Sequence, residues 1–470
     1  MDTSCLFFPE IYKLWDRETE NGEKITPGEL RHLADLCNYC ALCPCPNIRE
    51  DIITAKTLFI DRDGLDPHIR ALENVERVGK LCGTFPGLAN FCLQNKHTGR
   101  FIKKSVGINS KRKLPLFPKE NFSSWAKQRK LHKKLPGDSN RKIAYFAGCT
   151  ARYMFPEVAR ATIEVLERNG KQIYYPEQHC CGMPSMLEGD RELTLQFAER
   201  TVSHLAEVVS DGYDLVCSCP TCGYMLKNAL RECAYYSDPY QELVGGNERQ
   251  LKVPENMPIK DVEAEKAKIP TESQSPSGGH LSRKTVQVVE NSGRTVKEAH
   301  LRVLDKAIYG RILKDDGYFS SIDPLKRIRV AENTYDLGEY LLDLHRQGRI
   351  STYRGPVAGR MVYYPPCHQR EQGIGMPYMD LMGLIPGIAL ESFPSTFYCC
   401  GIAGIMGFKR DFHNASLHMG SRLIAKIKQL DPDLLITDCL SCRLQFNQIT
   451  TYPVQHPVEI LIQSYQNDNV

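Results

Sequence analysis

From residue 142 onward, short apolar runs alternate with longer stretches whose apolar positions recur every three or four residues. Residues 142–147 form one such run and end at Gly148-Cys149, which predicts a buried strand. Val158, Ala161, Thr162, Val165 and Leu166 then fall at helical spacing, and Asn169-Gly170 supplies a stop. Residues 171–175 predict a second strand, which delivers the chain to Cys180-Cys181-Gly182. Leu195, Ala198, Val202, Leu205 and Val209 mark a second helix, stopped near Gly212. Residues 213–217 predict a third strand, just before Cys219-Pro220-Thr221-Cys222. The order then recurs, with strands expected over 360–364, 387–391 and 433–437. Such alternation implies parallel sheets. Each cysteine group follows a strand, so all should collect at the carboxyl edge of a sheet, where open α/β sheets bind ligands.

The cysteines repeat with the strands. Cys149, Cys180, Cys181, Cys219 and Cys222 are matched by Cys367, Cys399, Cys400, Cys439 and Cys442, offset by 218 residues at the first cysteine and 220 at the last. One domain has therefore been duplicated, and each copy holds something that needs many thiolates. Disulfides fit poorly. Adjacent cysteines rarely bridge, the total of nineteen is odd, and the density is far below that of a small secreted scaffold. Structural zinc is the better of the plain alternatives, but zinc closes with four ligands and each set offers five. A multi-iron cluster can use five thiolates. Gly182 and Gly401, beside the Cys-Cys pairs, suit a tight turn where backbone approaches a bulky group, or an ordinary turn. His179 and His368 flank set cysteines; each can tune a cluster, carry protons or serve structure alone. Cys217 ends an apolar strand and reads as core, and Cys233 as packing.

A third group lies near the N-terminus: Cys37, Cys40 and Cys43, spaced by two residues, then Cys45-Pro46. This spacing aims successive thiolates at neighbouring irons of a cubane [4Fe–4S] cluster, and a Cys-Pro closes the ferredoxin run. Here one residue precedes the Cys-Pro instead of three. The fourth ligand is open between Cys45 and a more distant Cys5, Cys82 or Cys92, each of which also reads as a small buried hydrophobe.

The two sets resemble the paired CCG domains of the B subunit of heterodisulfide reductase. The N-terminal run plus both sets resembles the C subunit of anaerobic glycerol-3-phosphate dehydrogenase. The resemblance includes Val106-Gly107-Ile108, Arg112-Lys113-Leu114-Pro115, Phe122 and Trp125. It continues in Pro366-Cys367-His368, Cys399-Cys400-Gly401-Ile402-Ala403-Gly404 with Gly407-Phe408-Lys409, Thr437-Asp438-Cys439 and His456-Pro457. It implies an α/β fold: a small α-helical ferredoxin-like domain (1–95), a basic amphipathic connector (96–140), then two Rossmann-like CCG domains (141–236 and 331–470) separated by a polar insertion (237–330). It also implies an iron–sulfur electron-transfer subunit of an anaerobic oxidoreductase complex, with a noncubane [4Fe–4S] cluster on each five-cysteine set. The chain departs from the glycerol-phosphate family in having one ferredoxin run where that family has two. On this reading a cubane cluster exchanges electrons with the noncubane pair, and a disulfide or a quinone is the acceptor. The donor is a partner subunit, a flavoprotein dehydrogenase or another electron-transfer protein. Whether the chain catalyses or only relays stays open. The competing class is a zinc-stabilised interaction protein without redox activity.

Charge changes the picture only locally. The net charge of +4 offers no general argument for nucleic acid. Residues 96–134, however, hold thirteen Lys or Arg and one acid, Glu120, interleaved with Phe101, Ile102, Leu116, Phe117 and Trp125. Such a stretch either lies on an anionic membrane surface or docks on the protein with its lysines solvated. No run approaches the ~18 apolar residues of a spanning helix, and residues 1–5 have no secretory character. Many reduced thiolates point to the cytoplasm, with peripheral attachment at the cytoplasmic face of the inner membrane as an option. Residues 237–300, rich in Pro, Gly and Ser, read as an exposed insertion or linker without chemistry.

Overall fold

The computed structural model describes residues 5–43, 48–134, 136, 142–255, 257, 284–286, 299–351, 355–393 and 398–467. The apolar runs form strands where their pattern places them. In the first copy, β1 (Lys142–Phe146) lies between β2 (Gln172–Tyr174) and β3 (Asp214–Cys217), all parallel. Ile143, Ala144, Tyr145 and Phe146 are buried because helices cover both faces of the sheet. The connecting helices are Pro156–Arg168 and Arg191–Ser210, the second capped by Asp190, which accepts from the Leu193 N–H.

Between the copies lies a three-stranded antiparallel sheet of β4 (Gln250–Pro254), β5 (Lys284–Val286) and β6 (Ala299–Asp305), where sequence suggested only an insertion or linker. It closes over a small core of Tyr235, Tyr240, Leu251, Val253, Leu301 and Leu304. The chain then returns to the first sheet. β7 (Thr334–Asp336) pairs in parallel with β3, Cys217 opposite Asp336. The expected start of the second domain at 331 is therefore too early, because residues 334–336 complete the first sheet in the order β2-β1-β3-β7.

The second copy repeats this layout with β8 (Gly359–Tyr363), β9 (Ile388–Ser392), β10 (Leu434–Ile436) and β11 (Val454–Gln455), in the order β9-β8-β10-β11. β11 matches β7, and the helix after each begins alike. Glu339 accepts from the Asp336 N–H as Glu459 does from the His456 N–H.

The N-terminal region is a series of helices, from Phe7–Asn21 to Lys96–Ser105, and Cys37, Cys40 and Cys43 lie on a non-helical segment between two of them. Most of the basic stretch that follows docks on the protein. Ile108 bridges to Lys409, Asn109 N–H donates to the Phe408 carbonyl, and Lys113 bonds Gln448 and the Asn447 carbonyl. Phe117 and Phe122 are buried. No helix among the described residues is long and apolar enough to cross a membrane.

Candidate metal centre

All three strand-end cysteine groups of each copy converge at the carboxyl edge of their sheet. In the first copy Cys149 Sγ lies 3.7 Å from Cys180 Sγ, and Cys222 Sγ 3.7 Å from Cys181 Sγ. Gln178 shapes this pocket. Its Oε1 accepts from the Ala147 and Gly148 N–H groups, and its Nε2 donates to the Tyr145 carbonyl. Gly148 has φ +68°, and a Cβ there would sit 2.7 Å from Cys222 Sγ, so only glycine leaves that sulfur its place. In the second copy Cys442 Sγ lies 3.1 Å from Cys400 Sγ, the Gly401 N–H donates to Cys399 Sγ at 3.2 Å, and the Cys442 N–H to Cys439 Sγ at 3.4 Å. Gly401 does adopt the expected left-handed backbone (φ +86°), but the close approach is to its own following helix. A Cβ would collide with the Ser416 carbonyl oxygen.

All five cysteines of the first set are buried, as are Cys399, Cys400, Cys439 and Cys442, with Cys367 half-buried. The described cysteines form no disulfide. Thiolate is the form that ligates metal, and crowding already favours it at particular positions. Hydrogen bonds from Cys180 and Cys222 hold Cys181 down to about 6. Bonds from Cys222 and Cys439 hold Cys219 well below the usual thiol range, and bonds from Cys399 and Cys442 do the same for Cys400. The donating partners Cys222, Cys439 and Cys442 are pushed up in exchange. Five soft sulfur donors in one buried pocket exceed the need of a tetrahedral ion and fit an iron–sulfur group.

The sets are not separate. They meet across the domain boundary: Thr221 Oγ1, between Cys219 and Cys222, lies 3.7 Å from Cys439 Sγ, and the Cys439 thiol helps hold Cys219 down. His368, next to Cys367, bonds Thr221 Oγ1 at 3.0 Å through Nδ1 and stacks on Tyr224 at 5.1 Å. Burial pushes His368 down to about 4, so at neutral pH it is an uncharged bridge between the copies. His456 Nε2 donates to the Ser218 carbonyl at 2.8 Å, tying the second copy to the residue before Cys219.

The N-terminal run lies against the second set. Asn38 Nδ2 donates to Cys399 Sγ at 3.0 Å, and Arg370 Nη2 donates to the Cys40 carbonyl at 2.6 Å. Cys37, Cys40 and Cys43 are half-buried. Cys45 lies outside the described residues. Cys5 shares an apolar cluster with Cys37, whereas Cys82 and Cys92 sit on the helices Val75–Thr84 and Pro86–Gln94. The helix Val75–Thr84 instead lies over the first set, packed on Gly148–Tyr153. Glu76 Oε2 accepts from the Cys180 N–H at 3.1 Å, and Gly79 abuts the Tyr153 ring. Sequence reasoning missed Asn38, Glu76, Gln178, Thr221 and Arg370. None has a spacing signature, since each acts through a fold contact with a distant loop or an opposing copy. Cys217 is fully buried core, as its strand position implies.

This architecture defines a class: two stretches, 143–227 and 361–447, match the cysteine-rich CCG domain, so the chain carries two CCG domains. It is distantly related to the C subunit of anaerobic glycerol-3-phosphate dehydrogenase from Escherichia coli K12, at 22% identity over 406 residues, 86% of this chain and 78% of that protein. It is similarly distant from the B subunit of the CoM/CoB fumarate reductase of Methanothermobacter marburgensis. That match is 22% over 449 residues, 92% of this chain and 62% of the relative. Lactate utilization protein A of Geobacillus sp. WCH70 matches at 21% over 301 residues, 63% of this chain and 87% of the relative. The first two relatives are subunits of oxidoreductases by name.

Proposed function

We propose that the chain is an iron–sulfur electron-transfer subunit with three cluster sites in linear order. A cubane cluster would be held by Cys37, Cys40 and Cys43, and a noncubane cluster by each five-cysteine set. When bound, such clusters supply one-electron exchange at potentials set by surrounding charge and hydrogen bonds. The observation that carries the reading is the pair of junctions: Asn38 on Cys399, and Thr221, between Cys219 and Cys222, on Cys439. The N-terminal run neighbours the second set, and the second set neighbours the first. The second set is thus the intermediate station, and the first is the exit toward the acceptor. A partner subunit, a flavoprotein dehydrogenase or other electron carrier, donates at the N-terminal run. The test is iron and acid-labile sulfide per chain on anaerobically purified protein, with EPR on the same sample. About twelve irons with more than one cluster signature is the expected result. Zinc with little iron or sulfide would replace this reading by a zinc-stabilised interaction protein.

A surface observation favours a quinone over a disulfide as acceptor, and supports peripheral contact with a membrane. On the helix covering the first set and the two that follow it, Leu81, Phe85, Leu88, Phe91 and Phe101 are 64–74% exposed. The helix Pro86–Gln94 is apolar yet has no buried residue. No Asp or Glu occurs from Arg77 to Lys119, while Lys80, Lys96, Arg100 and Lys104 are exposed around the ridge. An apolar ridge in a cationic rim matches an anionic lipid surface. The double change Phe85→Asp with Phe91→Asp is expected to weaken co-sedimentation with anionic phospholipid vesicles at least ~10-fold, given ~1.5–3 kcal/mol per buried large side chain, and to leave iron content unchanged. Equal sedimentation of the variant would count against membrane contact here. If the wild type ignores vesicles yet reduces a soluble disulfide, the disulfide reading takes over.

A further inference from the structure

One cluster of ligating side chains lies outside the cysteine sets. Glu177, His179 and His204 each offer one ligand atom, and these atoms all fall within 4.8 Å of one another. Glu177 and His179 come from the loop that leads β2 into Cys180-Cys181, and His204 from the helix Arg191–Ser210. The two imidazole rings lie near-parallel, with centroids 6.4 Å apart and planes at 30°.

Proximity alone would carry little, because exposed polar groups often cluster without an ion. Two further observations point to one. First, Glu76 Oε1 lies 3.4 Å from His179 Nδ1. A metal-bound histidine commonly gives its second ring N–H to a carboxylate, which fixes the tautomer and leaves the other nitrogen's lone pair for the ion. Burial pushes the Glu76 carboxyl up, but its bond from Lys80 at 2.6 Å and the neighbouring His179 bring it below the ordinary carboxylate range, so it is an anionic acceptor. Second, His204 Nδ1 is buried and has no hydrogen-bond partner. A buried ring nitrogen without a partner costs free energy that a bound cation would relieve.

We infer that Glu177, His179 and His204 form a site for a single zinc-class divalent cation, distinct from the cysteine sets. Two imidazoles and one carboxylate are a ligand set that zinc takes at open sites, with a further position for water. Bound there, the ion staples the loop carrying Cys180 and Cys181 to the helix beneath it. Glu76 already holds that loop through the Cys180 N–H. The site stands on residues of its own and does not depend on which clusters the cysteines hold.

The experiment uses the full, cluster-loaded chain under anaerobic conditions. After chelator treatment, zinc is added and excess removed, and zinc, iron and sulfide per chain are measured together. The expected result is one tightly held zinc with iron and sulfide unchanged. His204→Ala and Glu177→Ala, neither of them at a cysteine set, are each expected to weaken zinc binding at least ~10-fold, again with iron unchanged. Zinc uptake accompanied by iron loss would place the metal on the cysteines and overturn the inference. No uptake by the wild type, or equal uptake by both variants, would overturn it as well. A low iron count with normal, variant-sensitive zinc uptake would instead strike the cluster reading and leave this site standing.

Discussion

On the proposed three-cluster reading, replacing Cys439 by serine is expected to interrupt electron flow at its middle. Cys439 is a member of the second set and also the sulfur that meets Cys219 of the first. Its loss should remove the second cluster, lowering iron from ~12 to ~8 per chain. Reduction of the first set by a donor acting at the N-terminal run should fall by more than the ~100-fold that loss of a merely supporting residue costs. Cys149→Ser makes the contrast. It removes a similar amount of iron, but the N-terminal run and the second set remain neighbours through Asn38 and Cys399, so exchange between them should persist. Rapid-freeze EPR after mixing with a one-electron donor follows both. Reduction of the first set at the wild-type rate in Cys439→Ser would sink the linear order and imply direct entry at the first set.

Lys409→Met is expected to cost about 3–5 kcal/mol of stability, because it leaves Glu188 buried without its partner. Lys409 Nζ lies 2.7 Å from Glu188 Oε2, and both side chains are almost wholly buried. Glu188 follows the first Cys-Cys-Gly by a short helix, while Lys409 follows the second, so the pair bolts one copy to the other. Lys56 adds the N-terminal region to this joint, donating to the Leu187 carbonyl at 2.8 Å. Cys37 and Asn38 line the same cleft as Lys56, Glu188 and Lys409. The urea midpoint should therefore fall, and the N-terminal cluster should be lost before the others. Changing both partners, Lys409→Met with Glu188→Leu, removes both charges and should recover most of the loss. A single change costing under ~1 kcal/mol would show that water reaches Glu188.

The six strands β1, β2, β3, β8, β9 and β10 were legible because each pairs a short apolar run with a cysteine group at its carboxyl end. β7 and β11 were not, since Thr334-Tyr335-Asp336 and Val454-Gln455 are too short to show a period and no cysteine group follows them. β4 and β6 were hidden in a segment whose Pro, Gly and Ser content masks a small core. The aromatic basic stretch was read as one unit, but its parts differ. Ile108, Phe117 and Phe122 dock, while Phe101 faces outward with Leu81, Phe85, Leu88 and Phe91 from helices outside that stretch.

By itself, the sequence determined the duplication, the parallel α/β pattern and the two five-cysteine sets that end its strands, because period and spacing are local properties that a linear reading preserves. Only the tertiary structure decided which thiols meet. That Cys219 faces Cys439, that Asn38 reaches Cys399, and that Glu76 holds the loop at Cys180 all follow from how three regions pack. The physical reason is that these contacts join groups 104 to 361 residues apart, and no spacing rule links residues whose neighbourhood is set by buried surfaces rather than by the chain between them.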